Sequence, residues 1–310
     1  MLSRVADSLY WMSRYFERAD HFSRVLEANY ILLLNPSKPS REARWKRITE
    51  ALGLQPESMS GDSQTTIMRL IAQPGNRSSI VSSITGAREN ASQVREQISS
   101  EMWESLNQLY HKVTAASSSG TDFDPFRLLT SFREGAYHFY GVSDSTMNHG
   151  EGWYFIQLGR FMERACGLSL LVDAHFAEAT GADDLDWVGL LTSCAAVEAY
   201  RKVNTSNVNP ECVADFLILN PEFPHTIRYS ADQMSFALDR IAEITTSRKS
   251  ARTDRLIGKL RASLTYAGID EIMARNLHNY LNGVLEQCHN LHAAMHQIFI
   301  DYPIESAIEA

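Results

Sequence analysis

The sequence predicts an all-α protein, a multi-helix bundle with an internal pseudo-repeat of a Glu-Arg helix. Three observations predict it. Apolar residues recur at intervals of three and four along nearly the whole chain. No stretch shows the alternation of a half-buried strand. One charged phrase occurs twice, as R-Y-F-E-R-A over residues 14–19 and R-F-M-E-R-A over residues 160–165.

The elements follow in order. Leu2, Val5, Leu9, Met12, Phe16, Ala19, Leu26, Tyr30 and Leu33 form one amphipathic stripe, interrupted at Ser23 and stopped by Asn35-Pro36. Arg41 to Leu52 reads as a short helix ending at Gly53, and Gly61 to Gly75 holds another. The region from Asn35 to Asn76 is the least regular. One long helix is expected from Ser79 to Ala116, on a stripe running from Ile80 through Ala91, Val94 and Ile98 to Val113. A Ser-rich break follows at Ala115 to Gly120. Asp124-Pro125 then opens a helix to Tyr140, with proline at its first position. Further helices are expected over Thr146–Ala179, Asp186–Val203, Pro210–Leu217, Ile227–Thr245, Arg252–Tyr266 and Asp270–Phe299. Asn220-Pro221 and Pro224 mark a turn. The second half therefore repeats the plan of the first, with short connections.

Composition narrows the function. The 310 residues are 44% hydrophobic, enough for a large core. A net charge of -8 argues against binding nucleic acid or an anionic membrane by bulk attraction. Cys166, Cys194, Cys212 and Cys288 are widely spaced, which suits reduced thiols and a cytoplasmic protein. Arg4 and Asp7 interrupt any signal-like start. The best membrane-span candidate, Trp153 to Val172, carries Arg160, Glu163 and Arg164 at its middle, so no span is expected.

The two charged phrases sit in different surroundings. Arg14, Glu17 and His21 share a polar side of the first helix, with Arg18 at its border; taken alone, this reads as a solvated face. The second copy lies in a helix apolar all round, which marks a central helix. There Arg160, Glu163 and Arg164 sum to +1 and need a neutralising partner. That partner is an internal carboxylate such as Asp144, Glu151 or Glu134, or a bound anion. Gly159 and Gly167 would let a neighbour approach closely. Antiparallel packing of the two helices at their midpoints would merge both copies into one Glu/Arg core.

Other signals are weaker. Arg88, Glu89, Arg95 and Glu96 on the long helix could reach carboxylates of other helices, or be ordinary surface pairs. His278, His289, His292 and His296 share a face, and His292 and His296 have i,i+4 chelate spacing. The single E-x-x-H at Glu286–His289 lacks the second copy that a di-iron bundle needs. A histidine-rich polar face is the simpler account, and no metal or cofactor is expected. The turn from Asn148 to Trp153 is read as positioning Trp153. There is no P-loop, G-x-G-x-x-G, G-x-S-x-G or H-E-x-x-H.

These residues carry a resemblance. M-L-S-R-V-A-D-S-L-Y-W-M-S-R-Y-F-E-R-A, A-R-E-N-A-S-Q-V-R-E-Q-I-S-S-E-M-W-E, E-G-W-Y-F-I-Q-L-G-R-F-M-E-R-A and V-A-D-F-L-I-L-N-P-E-F-P together resemble the bacterial alpha-E domain family. The similarity covers nearly the whole chain. It implies a single helical domain over residues 1–310, with pseudo-repeat halves of roughly 1–140 and 141–310. It also implies an ATP-grasp ligase-like partner and a transglutaminase-like protein, in the synthesis or processing of a peptide. Arg14, Glu17, Arg18, Arg160, Glu163 and Arg164 match the family's name-giving motif; Arg88, Glu89, Arg95 and Glu96 match its long-helix motif. The chain departs from the pattern in two places. His149-Gly150 stands where a basic-acidic pair precedes Glu151, and His225 where an arginine follows Phe223-Pro224. If those basic residues bind a ligand, this member's site is altered.

Two functions follow. The first is an accessory or binding protein whose charged clusters are internal ion-pair locks. The second is an enzyme or carrier in which Arg160 and Arg164 clamp an amino-acid or peptide carboxylate and Glu163 or Glu17 acts as base. Motif side chains paired with each other favour the first; a cavity lined by both copies favours the second.

Overall fold

The computed structural model describes residues 1–33, 38–54, 63–72, 79–118, 124–177, 184–204, 208–245 and 251–299. Among them are fourteen α-helices and no strand. The Asn35-Pro36 stop and part of the Ser-rich break lie outside the described residues.

Two long helices form the centre. Helix α1 (Ser3–Leu33) buries Leu9, Met12, Phe16, Ala19 and Leu26. Helix α7 (Glu151–Ala177) buries side chains on nearly every side, as its continuous apolar sequence requires. The two pack directly on one another. Around them the chain repeats a plan. Helix α1 is flanked by α4 (Ile80–Gln93) and α6 (Pro125–Thr146), with α5 (Ser100–Ser118) bridging those two. Helix α7 is flanked in the same way by α11 (Ile227–Thr245) and α14 (Leu277–Phe299), bridged by α12 (Ala251–Thr265). The short helices cross over. Helix α2 (Lys38–Ala51) packs on α7, and α8 (Asp184–Ser193) packs on α1. Arg44 and Arg47 of α2 both reach Asp186 of α8, at 2.9 and 3.0 Å, and tie the crossover. Helix α3 (Ser63–Ala72) lies against α4 and α5; α9 (Val197–Val203), α10 (Pro210–Leu219) and α13 (Ile269–Arg275) complete the order.

Caps explain several boundaries. The Asp124 carboxylate accepts from the backbone N–H of Phe126 and Arg127, with Pro125 at the first helical position. Asn209 caps α10 in the same way, ahead of Pro210.

Three expected helices are each two. The stripe from Ser79 to Ala116 breaks at Val94, whose φ of -130° leaves the helix; a short 3-10 turn over Arg95–Gln97 follows. The Ser99 hydroxyl then accepts from the Met102 N–H and restarts the chain as α5, folded back on α4. Val94 and Ile98 stay buried through the corner, so the apolar spacing carries on where the helix does not. Asp186–Val203 breaks at Ala195, at φ 52°, and Asp270–Phe299 breaks at Asn276, at φ 100°. Asparagine tolerates that region; alanine does not favour it, and neither Cys194 nor Ala196 signals a stop.

Candidate functional site

The two Glu-Arg phrases face each other across the contact between α1 and α7. Their positions differ by a constant 146, since 160 − 14, 163 − 17 and 164 − 18 are equal. The helices run parallel, not antiparallel as expected. Met1 and Leu9 lie against Glu151 and Gly152, Ser13 bonds to the Ile156 carbonyl at 2.7 Å, and His21 lies against Gly167. Contacts on both helices therefore advance in the same direction.

Parallel packing makes the ion pairs reciprocal. Arg164 grips Glu17 with two parallel bonds, Nε to Oε1 at 2.5 Å and Nη2 to Oε2 at 2.9 Å. Arg160 stands 3.7 Å from the same carboxylate. In exchange, Arg14 donates Nε to Glu163 Oε2 at 2.7 Å, and Arg18 donates Nε to Oε1 at 2.5 Å. Each glutamate thus takes two arginines from the other helix. The first copy is no solvated face: Glu17 is 2% exposed and Arg14 8%. Nor do Asp144, Glu151 or Glu134 neutralise the second copy. Glu151 pairs with the N-terminal ammonium at 2.8 Å, Asp144 lies near His149 at the surface, and Glu134 is exposed.

Further contacts hold this core. The Tyr140 hydroxyl donates to Glu17. Arg164 Nη1 donates to the Pro224 carbonyl at 3.1 Å, fastening the turn between α10 and α11. Arg160 lies over the Tyr140 ring, 3.7 Å from its centroid. Beside Glu17, Asp20 accepts from Arg24 Nε at 3.0 Å on both oxygens. Four arginines meet two motif glutamates, an excess of two positive charges. The arginines with the most exposed side chains, Arg18 at 27% and Arg160 at 21%, keep contact with water, which screens that excess.

The electrostatics follow from burial and these partners. Burial alone would raise the Glu17 carboxyl; Arg164 and Arg160 outweigh it and hold it below the usual glutamate value. Burial and then Arg14 and Arg18 act the same way on Glu163, with the same net direction. For Asp20 burial wins over Arg24, and the carboxyl is raised. Burial, followed by Arg164, Arg24 and Arg160, pushes His225 well below the ordinary histidine value. A neutral histidine there adds no further cation to a core already rich in them. An arginine at the same place would.

A pH prediction arises from the other buried histidines. Burial lowers His21 and His175 from 6.5 to about 4. His175 is 3% exposed and bonded through Nδ1 to the Leu171 carbonyl. The unfolded chain then takes up protons first as the pH falls, so stability declines from pH 6.5 toward about 4. The slope is up to about 1.4 kcal/mol per pH unit for each such group. Below the unfolded glutamate value the lowered Glu17 and Glu163 carboxylates add to the loss. Urea midpoints measured down this range should fall, and fall less for His175→Gln. A flat midpoint would mean that the histidines protonate freely in the folded state.

The remaining expected site residues do not join the core. Arg88 donates to Asn107 Oδ1 at 2.7 Å and lies over the Trp103 and Tyr110 rings. Arg95 lies over Trp103, and Glu89, Arg95 and Glu96 are exposed. This cluster braces the α4–α5 corner. The histidines of α14 divide: His278 pairs with Asp173, His289 is exposed, and His292 and His296 lie together with ring centroids 4.6 Å apart against Tyr10 and Trp11, His292 accepting or donating at Tyr10 Oη 2.9 Å away and His296 standing 3.6 Å from Asp7. Among the described residues no group of three His, Cys, Asp or Glu side chains is placed to hold a metal. His149 stacks on Trp153 with centroids 4.0 Å apart, so the Gly-rich turn does seat that indole. Sequence reasoning missed Tyr140, Asp20 and Arg24 as core neighbours, although the i,i+4 spacing of Asp20 and Arg24 offered a signal. His225, marked in the sequence by its departure from the family pattern, adjoins the core arginines.

Fold and site define a class: an all-helical protein centred on two facing Glu-Arg helices, with no helix among the described residues long and apolar enough to cross a membrane. The chain belongs to the Alpha-E family, whose model, described as "a predicted alpha-helical domain with a conserved ER motif", matches residues 1–300. In this chain a Glu-Arg dipeptide stands in each facing phrase, Glu17-Arg18 and Glu163-Arg164. Similar chains are the uncharacterized proteins Rv2567 of Mycobacterium tuberculosis and Mb2597 of Mycobacterium bovis. Each is 21% identical over 319 residues, covering 95% of this chain and 36% of the relative. The chain thus spans about a third of the length of these relatives. No solved structure matches it.

Proposed function

We propose that this chain is a helical accessory or binding protein in which the Glu-Arg core is a structural lock. The observation that carries this reading is the reciprocal pairing: both motif carboxylates are consumed by arginines of the opposite helix. A general base needs a free lone pair aimed at a substrate, and a carboxylate held below its usual value is a poor one. The lock fixes α1 against α7, and through Arg164 the turn at Pro224. It thereby sets the relation of the helices packed around each. A rigid body of this kind suits a docking role. The partner expected from the family resemblance is an ATP-grasp ligase-like protein acting in peptide synthesis or processing, with a transglutaminase-like protein as a further associate. The greater length of the mycobacterial relatives fits a unit that works beside other modules.

The test is co-expression with an ATP-grasp ligase-like protein of the same genome, followed by size-exclusion chromatography. A complex that survives Arg160→Lys, a folded variant with an altered motif, supports a lock beneath a docking surface. Absence of any complex would sink the accessory reading. Turnover of an amino-acid or peptide substrate by the chain alone, abolished in folded Glu163→Gln, would establish the enzyme in its place.

A further inference from the structure

Away from the Glu-Arg core lies a concave place that contains no motif residue. A cavity of about 540 Å³ opens between α1, α6 and the break that separates α8 from α9. This is within the size range of small-molecule sites. One wall is the corner at Ala195, the alanine held at φ 52°. The sequence reads as helix straight through that corner. Local preference is overridden where the cavity is formed, and strain of this kind tends to gather at binding sites.

The lining has a definite chemistry. Phe126, Ala28 and Val197 make it apolar in part. Its charges are two arginines, Arg24 and Arg133, and two glutamates, Glu27 and Glu198. They cancel. Arg24 and Glu27 are 4% and 8% exposed and fixed in place. Arg24 is held by Asp20 and by the Tyr137 hydroxyl at 3.3 Å; Glu27 accepts from Thr130 at 2.7 Å and from Arg133 at 2.9 Å. Two groups keep capacity at the mouth. The Arg133 side chain is 35% exposed and gives Nη1 to Glu27, leaving the rest of its guanidinium available. Glu198 is 83% exposed and, among the described residues, its charged partner is Arg201 of the same helix, at 3.4 Å.

We propose that this cavity binds a small zwitterion with an apolar body, an apolar amino acid or a dipeptide of such residues. The carboxylate meets Arg133, the ammonium meets Glu198 with Glu27 behind it, and the side chain lies against Phe126, Ala28 and Val197. A ligand with net charge would bring an uncompensated charge into a lining whose own charges sum to zero. A purely apolar ligand would leave Arg133 and Glu198 partly desolvated without partners. The site is separate from the Glu-Arg core, so its failure would leave the lock standing, and the converse holds.

The experiment is isothermal titration calorimetry of the whole chain with leucine and leucyl-leucine. N-acetyl-leucine, which lacks the ammonium, and leucinamide, which lacks the carboxylate, are the paired controls. Saturable binding of leucine or its dipeptide is expected, with each control weaker by about tenfold or more. The stronger of the two zwitterions identifies the source. Ala28→Phe, which fills the cavity, should abolish binding. Glu198→Lys, at an exposed position that leaves the fold alone, should weaken it by about tenfold. It decides the matter if Ala28→Phe does not fold. The proposal is overturned if neither zwitterion binds, if the capped controls bind as well, or if Glu198→Lys binds like wild type. The first of these results would return the cavity to a protein partner's side chain.

Discussion

Glu17→Gln should destabilise the protein by about 3–5 kcal/mol, the loss expected when one partner of a buried ion pair is removed. The shape is nearly unchanged, so the effect isolates charge. Arg164, 2% exposed, loses the anion that both its Nε and Nη2 contact, and Arg160 loses the carboxylate that stands 3.7 Å from it. The Tyr140 hydroxyl loses its charged acceptor as well. Urea unfolding at neutral pH measures the change. Glu163→Gln should cost less, because Arg18 is already partly hydrated and the Glu163 carboxylate is more exposed than that of Glu17, 11% against 3%. Pairing Glu17→Gln with Arg164→Met should recover part of the loss, since a neutral pair leaves no stranded cation. If Glu17→Gln costs under about 1 kcal/mol, in the range of a surface pair, the core is not a lock.

Gly159→Ala should cost about 1–3 kcal/mol, the usual price of overpacking, although alanine is the better helix former. A Cβ at 159 would stand 2.4 Å from the Tyr10 carbonyl oxygen. That obstacle is backbone and cannot rotate away, so α1 and α7 must separate. Separation lengthens the bonds of Glu17 and Glu163 together. Gly141→Ala is the control. Nothing lies within 4 Å of its added Cβ, so the helix preference acts alone and stabilises by about 0.5–1 kcal/mol. Opposite signs from one chemical change would locate the tightest point of the central contact. Two stabilising results would mean that α7 has slack along its glycine face.

The Glu-Arg core was half legible. Duplication of the phrase named all six residues, and the apolar surroundings of Arg160, Glu163 and Arg164 marked them as buried. The first copy was harder. Arg14, Glu17 and His21 fall on the polar side of their own helix, because amphipathicity records what a helix meets on average and not which partner it meets. Glu17 is buried because α7 and α6 cover it, and that is a property of the assembly. The Arg88 cluster, left open between long reach and surface pairing, shows the converse. Its spacing allowed long reach, yet the corner at Val94 turned it onto Trp103 and Tyr110 of the returning helix.

Period, composition and the repeated phrase determined the helical class, most helix boundaries and the identity of the central charged residues, because each depends on neighbours within a turn or two. The corners at Val94, Ala195 and Asn276, the parallel sense of α1 and α7 and the cavity beside Ala195 were decided by tertiary structure alone. A 146-residue repeat is compatible with either sense of packing, since both bring glutamate to arginine. The parallel sense is the one in which Gly159 meets the Tyr10 backbone and Gly167 meets His21, with the crossover of α2 and α8 tied by Asp186, and those contacts lie too far apart in the chain for local spacing to show.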